Sequence, residues 1–124
     1  MKELLEAKRH ITNAKDLLSE KAKKENGYYQ DRKYVKMAGH TAYAGVLVAL
    51  DSILGDKKKG RKSVEWYKEE LAKMDKKILS AFLAAYDTLH LAMSYDGNLS
   101  AEVAVAGLKD AEKIIAWVEQ RAQA

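Results

Sequence analysis

The feature that most constrains the fold is the absence of proline from a chain whose apolar residues recur at helical spacing. None of the 124 residues is proline, so the commonest helix breaker is missing. Apolar positions follow each other at steps of three and four, which is typical of amphipathic helices. Four glycines fall where these segments end: Gly27, Gly55, Gly60 and Gly97. The pattern predicts an all-α protein, a four- to five-helix up-down bundle with short connections.

The second predicted helix differs from the others because it carries two apolar stripes. It runs from Asp31, a predicted N-cap, to Leu54, and two apolar faces predict contacts on two sides. We therefore expect this helix to be central in the bundle. The helix also carries a groove of small residues, Ala38, Ala42, Gly45 and Ala49. We expect another helix to approach closely along this groove, and the alternative is a ligand bound there. Ser63 and Ser100 are predicted to cap the third and fifth helices, and the fourth helix covers residues 75–95.

Composition limits the class of protein. The length fits one domain, residues 1–124, and is enough for a single core. No cysteine is present, which excludes disulfide frameworks, thiolate zinc sites and cysteine nucleophiles. The longest uncharged stretch, residues 37–50, is too short to span a bilayer, and charged residues occupy the N-terminus where a signal peptide would be apolar. We expect a cytoplasmic protein with no membrane contact.

Cations concentrate in the loop that precedes the third helix. Lys59, Arg61 and Lys62 stand just before Ser63, and a helix N-terminus with flanking cations is a candidate anion site. Tyr43 is a candidate ring for stacking a base. The alternatives are a solvated lysine-rich loop and tyrosines that seal the end of the bundle.

The motifs of phosphate-binding loops, serine hydrolases and di-iron bundles are incomplete or absent in the sequence. The segment from Gly55 to Ser63 has one residue too many between its second glycine and the lysine to match a phosphate-binding loop. No nucleophile elbow is present. Asp87 and His90 form one carboxylate–histidine pair, whereas di-iron bundles need two such pairs and two further glutamates. We therefore predict no metal and no cofactor, and expect His90 to be a structural residue of the core.

Several segments together suggest a family. The alanine-rich run of residues 41–55, the basic loop followed by Trp66 and Tyr67, the segment from Tyr86 to Asp96, and the last helix occur in an order and spacing that resemble the HEPN domain (higher eukaryotes and prokaryotes nucleotide-binding). The resemblance is to its small stand-alone bacterial branch and covers nearly the whole chain. Residues 25–39 are also similar to a Bacteroides-type family of unknown function.

The HEPN resemblance implies a helical bundle that often dimerises and works beside a small nucleotidyltransferase as a toxin–antitoxin pair. Some relatives are metal-independent RNases, whose motif is an arginine, four to six residues, and a histidine. Here seven residues separate Arg32 from His40, and both lie on the second helix. His90 stands where the family commonly has arginine.

The sequence is compatible with three functions. The first is a non-catalytic HEPN-like module that forms a homodimer and binds a nucleotide, an RNA or a partner protein, with Lys59, Arg61, Lys62 and Ser63 as its surface. The second is a divergent RNase in which His90 or His40 is the general acid or base. In that reading Arg32 or a residue of the basic loop binds phosphate. The third is a structural domain that dimerises through the aromatic surface of the last two helices.

Overall fold

The computed structural model describes residues 2–55 and 60–123. Five α-helices form a bundle in these ranges: α1 (Lys2–Asp16), α2 (Arg32–Leu54), α3 (Val64–Ala72), α4 (Lys76–Ala85) and α5 (Ala101–Gln123). Two π-helical segments, π1 (Leu17–Lys21) and π2 (Tyr86–Tyr95), continue α1 and α4. The predicted all-α bundle is therefore confirmed.

Side-chain caps begin the helices at the predicted places. The Asp31 carboxylate accepts a hydrogen bond from the Lys33 backbone N–H at 3.1 Å, and the Ser63 hydroxyl accepts one from the Trp66 N–H at 3.1 Å. These bonds satisfy N–H groups that have no partner inside the helix. The fourth helical segment ends at Gly97, whose φ of 68° is the left-handed conformation expected after a helix.

A short β-hairpin follows the first helix and was not predicted from the sequence. Strands β1 (Lys24–Glu25) and β2 (Tyr28–Tyr29) pair antiparallel, with Lys24 opposite Tyr29. Asn26 and Gly27 form the turn with φ values of 52° and 83°, the conformation that two-residue hairpin loops favour. Gly27 is thus a turn residue, because positive φ is needed at both positions.

Helix α2 is central, as predicted. It packs against α1, π2 and α5, and its inward side chains are fully buried: Val35, Ala38, Ala42, Val46 and Ala49. A methyl group on Gly45 would lie 2.8 Å from His10 Cβ and 3.1 Å from the Ala7 carbonyl oxygen of α1. The small-residue groove therefore receives α1, which leaves no space at Gly45 for the alternative ligand.

Helix α2 is also the one helix in the described ranges that is long and apolar enough to cross a membrane by length and composition. Its mean hydropathy reaches 1.3 over the most apolar window. The helix is longer than the uncharged stretch of the sequence because it includes the charged residues near its first turn and Asp51 near its end. The core position of α2 explains an apolar composition of this kind.

Candidate functional site

The π2 segment is the most unusual part of the backbone. It extends over ten residues, whereas π-helical geometry usually occurs as single turns and often marks functional positions. Glycines of two neighbouring helices contact it. A methyl group on Gly39 of α2 would lie 2.6 Å from both the Leu89 carbonyl oxygen and Met93 Cβ, and one on Gly107 of α5 would lie 2.6 Å from Thr88 Oγ1. The backbones of α2 and α5 therefore approach π2 closely on two sides.

Tyr43, Tyr86 and His90 form a cluster of rings, here called the tyrosine–histidine cluster. The Tyr43 ring centroid lies 5.0 Å from that of His90 and 6.0 Å from that of Tyr86. The rings of Tyr86 and His90 stack at 5.2 Å, with 30° between their planes. All three side chains are partly buried. Tyr86 was not among the predicted site residues, although its spacing of four residues from His90 places both on one side of a helix.

The polar atoms of this cluster are available to a ligand or to water. Within the described ranges, neither the two phenol oxygens nor the His90 ring nitrogens form a hydrogen bond to the protein. Burial raises the pKa of Tyr43 to about 12, and the neighbouring Tyr86 adds to the shift. The Tyr43 hydroxyl is therefore protonated at neutral pH and can donate a hydrogen bond. His90, which we expected in the core, is only partly buried and lies against the rings of Tyr43 and Tyr86.

His40 lies one helical turn before Tyr43 on α2, whereas Arg32 lies at the start of that helix. His40 is exposed and precedes Tyr43 by three residues, so the two are neighbours on the surface of α2. Arg32 lies eleven residues before Tyr43, about 16 Å along the helix. Its side chain lies against Gly97, where an added methyl group would overlap it. Of the three catalytic candidates, the two histidines therefore share a region and Arg32 does not.

A second group of residues lies at the start of α3. This group, called the α3 entrance, consists of Arg61, Lys62, Ser63 and Trp66. The Lys62 ammonium lies 3.1 Å from Asp51 Oδ1 and 5.2 Å from the centre of the Trp66 ring. Arg61 is exposed, and the Ser63 hydroxyl is the α3 cap. Lys59, the remaining candidate of the basic loop, lies outside the described residues.

Asp51 connects the α3 entrance to α2. The Tyr67 hydroxyl donates a hydrogen bond of 2.7 Å to Asp51 Oδ1, the same oxygen that pairs with Lys62. Burial raises the pKa of Tyr67, and this hydrogen bond raises it further. Asp51 and Trp66 were not predicted as site residues. The sequence contains one indication of a role for Asp51, because it is the only charged residue between positions 37 and 55.

Ring contacts join the two groups without merging them. The ring centroids of Trp66 and Tyr67 lie 5.0 Å apart. Those of Tyr67 and Phe82 lie 5.8 Å apart, and those of Phe82 and Tyr43 lie 6.4 Å apart. Along α2, however, Asp51 lies eight residues beyond Tyr43, about 12 Å. The predicted ligand residue Tyr43 thus belongs to the tyrosine–histidine cluster, whereas Arg61, Lys62 and Ser63 belong to the α3 entrance. In the parts of the chain that the structure describes, no three His, Asp or Glu side chains are grouped to hold a metal ion.

Comparison with known proteins places the chain in a family. A family model described as "Domain of unknown function (DUF5618)" matches residues 2–120. The chain belongs to this family. The DUF5618 chain is also similar to a solved structure, a protein of unknown function from Dyadobacter fermentans, at 59% identity and a TM-score of 0.95. That match covers 97% of this chain and 96% of the other. A search of curated proteins found no match.

These comparisons confirm the expected similarity to a family of unknown function. They assign no activity to it, and neither description mentions a HEPN domain.

Proposed function

We propose that this DUF5618 chain is a non-catalytic, HEPN-like helical module that binds single-stranded RNA or a nucleotide at the α3 entrance. It acts in the cytoplasm, as a homodimer and without contacting a membrane. The observation that supports the binding site is the Lys62 ammonium lying over the Trp66 ring at the N-terminus of α3. The HEPN-like part of the proposal is supported by the sequence resemblance and by the helical bundle.

The chemistry of the α3 entrance suits a base joined to a phosphate. Aromatic rings stack bases of any sequence, and nearby cations neutralise the phosphate backbone. Trp66 is partly exposed, and Arg61 and Lys62 stand beside the first turn of α3. Backbone N–H groups at a helix N-terminus attract anions, and the Ser63 hydroxyl occupies only the one that belongs to Trp66.

Asp51 opposes anion binding at this site, which allows a sharp test. Its carboxylate pairs with Lys62 and lowers the positive potential that a phosphate would meet. Asp51→Asn removes this charge and keeps an oxygen that can accept the Tyr67 hydrogen bond. We therefore expect Asp51→Asn to bind RNA more tightly than the unchanged protein, a gain that a purely structural role for Asp51 does not produce.

The experiment is a fluorescence-anisotropy titration of a labelled single-stranded RNA in EDTA at several salt concentrations. We expect salt-sensitive binding that Arg61→Ala with Lys62→Ala weakens by about tenfold, with a shallower dependence on salt because two phosphate contacts are lost. The matched control is Lys76→Ala with Lys77→Ala, two exposed lysines on the first turn of α4. No binding at low salt, or equal weakening by the control pair, would refute the α3 entrance as the site.

A divergent RNase is the second candidate, because His40 and His90 both neighbour Tyr43. Two imidazoles near one position can serve as general acid and general base. The same RNA, resolved on a gel, tests this function. Cleavage that is lost in His90→Ala and in His40→Ala would replace the non-catalytic proposal, and cleavage that persists in both variants would remove the two histidines from it.

A small nucleotidyltransferase is the proposed protein partner, on the strength of the HEPN resemblance alone. Co-expression and co-purification with a nucleotidyltransferase encoded beside this chain test the pairing. Failure to form a complex of defined stoichiometry would contradict it.

A further inference from the structure

Two neighbouring helices on one side of the bundle carry charges of opposite sign. From residue 32 to residue 50, α2 contains Arg32, Lys33 and Lys36 and no acid. Residues 78–108, which include π2, contain no lysine or arginine, and two of their acids are Asp87 in π2 and Asp96 just after it. In the ranges that the structure describes, neither Lys33 nor Lys36 is paired with an acid, and neither Asp87 nor Asp96 is paired with a cation.

Uncovered apolar side chains lie among these charges. Met37 of α2 is 43% exposed, and Leu91 and Tyr95 of π2 are 36% and 77% exposed. These are three of the six large apolar side chains that are exposed in the described parts of the chain. Leu91 and Tyr95 follow Asp87 at intervals of four residues, so the three form a stripe on the outside of π2. Exposed apolar groups bordered by charges are typical of contact surfaces.

The packing of α2 against π2 shows which of these residues lie at the same height along the two helix axes. Arg32 lies against Gly97, and Gly39 lies against Leu89 and Met93. The two segments therefore run antiparallel, and residues 33–37 of α2 lie at the same height along the helix axes as residues 91–95 of π2 and the following Asp96.

We propose that this surface, the α2–π2 face, pairs with the same surface of a second copy about a twofold axis parallel to the two helices. The face consists of Lys33, Lys36, Met37, Asp87, Leu91, Tyr95 and Asp96. This inference rests on the proposed function only for the existence of a homodimer, and it names the surface that forms it. It does not depend on RNA binding.

The twofold arrangement satisfies charge and apolar contact together. Rotation about an axis parallel to the helices keeps each residue at its level and places α2 of one copy over π2 of the other. Lys33 and Lys36 then face Asp96, and Met37 faces Leu91 and Tyr95. Each contact occurs twice, as in any isologous interface.

The sign of the charges favours a second copy over an RNA as the occupant. Phosphates would be attracted by Lys33 and Lys36 but repelled by Asp87 and Asp96, which lie on the same face. A second copy presents both signs in the complementary arrangement, and such complementarity raises specificity between protein surfaces.

Charge reversal on the full-length protein tests the proposal by analytical ultracentrifugation. One variant carries Lys33→Glu and Lys36→Glu, and the other carries Asp87→Lys and Asp96→Lys. Each variant alone places like charges opposite each other, so we expect its dimer dissociation constant to rise by at least about tenfold. An equimolar mixture of the two variants should form a heterodimer as stable as the unchanged dimer, because the reversed Lys33 and Lys36 of one copy then face the reversed Asp96 of the other.

The controls separate this effect from misfolding and from RNA binding. All four substituted side chains are exposed, and far-UV circular dichroism should be unchanged. Reversal of Lys76 and Lys77 to glutamate, at the far end of α4, should leave the dissociation constant unaltered. A chain that stays monomeric, a dimer that survives both reversals, or a mixture that does not re-form a dimer would each overturn the α2–π2 face. Loss of RNA binding with an intact dimer would overturn only the α3 entrance.

Discussion

Gly39 offers the sharpest test of the packing between α2 and π2. A methyl group at this position would lie 2.6 Å from the Leu89 carbonyl oxygen, 2.6 Å from Met93 Cβ and 2.8 Å from the Ser94 backbone nitrogen. Two of these atoms belong to the backbone, so no side-chain rotation can make room. Gly39→Ala must therefore push the two helical segments apart or strain them.

The expected change in the free energy of unfolding is the difference of two opposing contributions. Alanine is better than glycine in a helix interior by about 1 kcal/mol. Overpacking costs about 1 to 3 kcal/mol, and the backbone contacts of Gly39 favour the upper end of that range. We therefore expect Gly39→Ala to destabilise the fold by about 2 kcal/mol, which lowers the melting temperature of a chain of this length by about 8 °C.

Urea unfolding followed by circular dichroism measures this change, with Gly107→Ala as the matched comparison. A methyl group on Gly107 would meet Thr88 Oγ1 at 2.6 Å and Leu89 Cδ2 at 2.7 Å, and both atoms belong to side chains rather than to the backbone. Gly107→Ala should accordingly cost less than Gly39→Ala. A Gly39→Ala protein as stable as the unchanged chain, or more stable, would refute the close approach of α2 to π2.

Three further changes test the ring cluster, a helix cap and the hairpin. Burial raises the pKa of Tyr43 from 10.0 to about 12 in the folded state, so the stability that this proton confers is present below about pH 10 and is lost as the pH rises towards 12. In urea titrations between about pH 10 and about pH 12, Tyr43→Phe should therefore lose less stability than the unchanged protein. Ser63→Ala should lower the free energy of unfolding by about 1 kcal/mol, whereas Ser63→Asp should keep the cap and weaken RNA binding through its added charge. An unchanged RNA affinity in Ser63→Asp would contradict the α3 entrance. Gly27→Ala should destabilise the fold by about 1 to 2 kcal/mol. Backbone strain alone causes this loss, because φ is 83° and no atom lies within 4 Å of the added methyl group. Equal thermal stability of the two proteins would contradict the turn conformation.

Helix positions could be predicted because local chemistry determines them. Asp31 and Ser63 act as caps through hydrogen bonds to N–H groups two or three residues away, so sequence spacing is sufficient. The two apolar stripes of α2 likewise predict burial on several sides, and the structure confirms it. The hairpin at Asn26 and Gly27 was missed because the glycine was interpreted as a helix end, although an Asn-Gly pair also favours a two-residue hairpin turn.

The candidate sites could be predicted only in part because they depend on contacts between distant segments. Lys62 pairs with Asp51, eleven residues away on another helix, and helical periodicity gives no information about this pair. The stacking of Tyr43 on His90 depends on how closely α2 approaches π2, which Gly39 allows. Neither helical periodicity nor capping residues predict a π-helical segment of ten residues.

The close approach of α2 to π2 links the packing to the proposed dimer. Because Gly39 has no side chain, the two backbones are adjacent, and the exposed residues on either side of the contact are brought onto one surface. Lys36 and Asp96 therefore belong to neighbouring segments of one face, although sixty residues separate them in the sequence. In the ranges that the structure describes, neither charge forms an ion pair, so a partner with the opposite arrangement can still satisfy both of them. A Gly39→Ala substitution that separates α2 from π2 should for this reason weaken the dimer as well as the fold, whereas Gly27→Ala, in the hairpin, should weaken the fold alone.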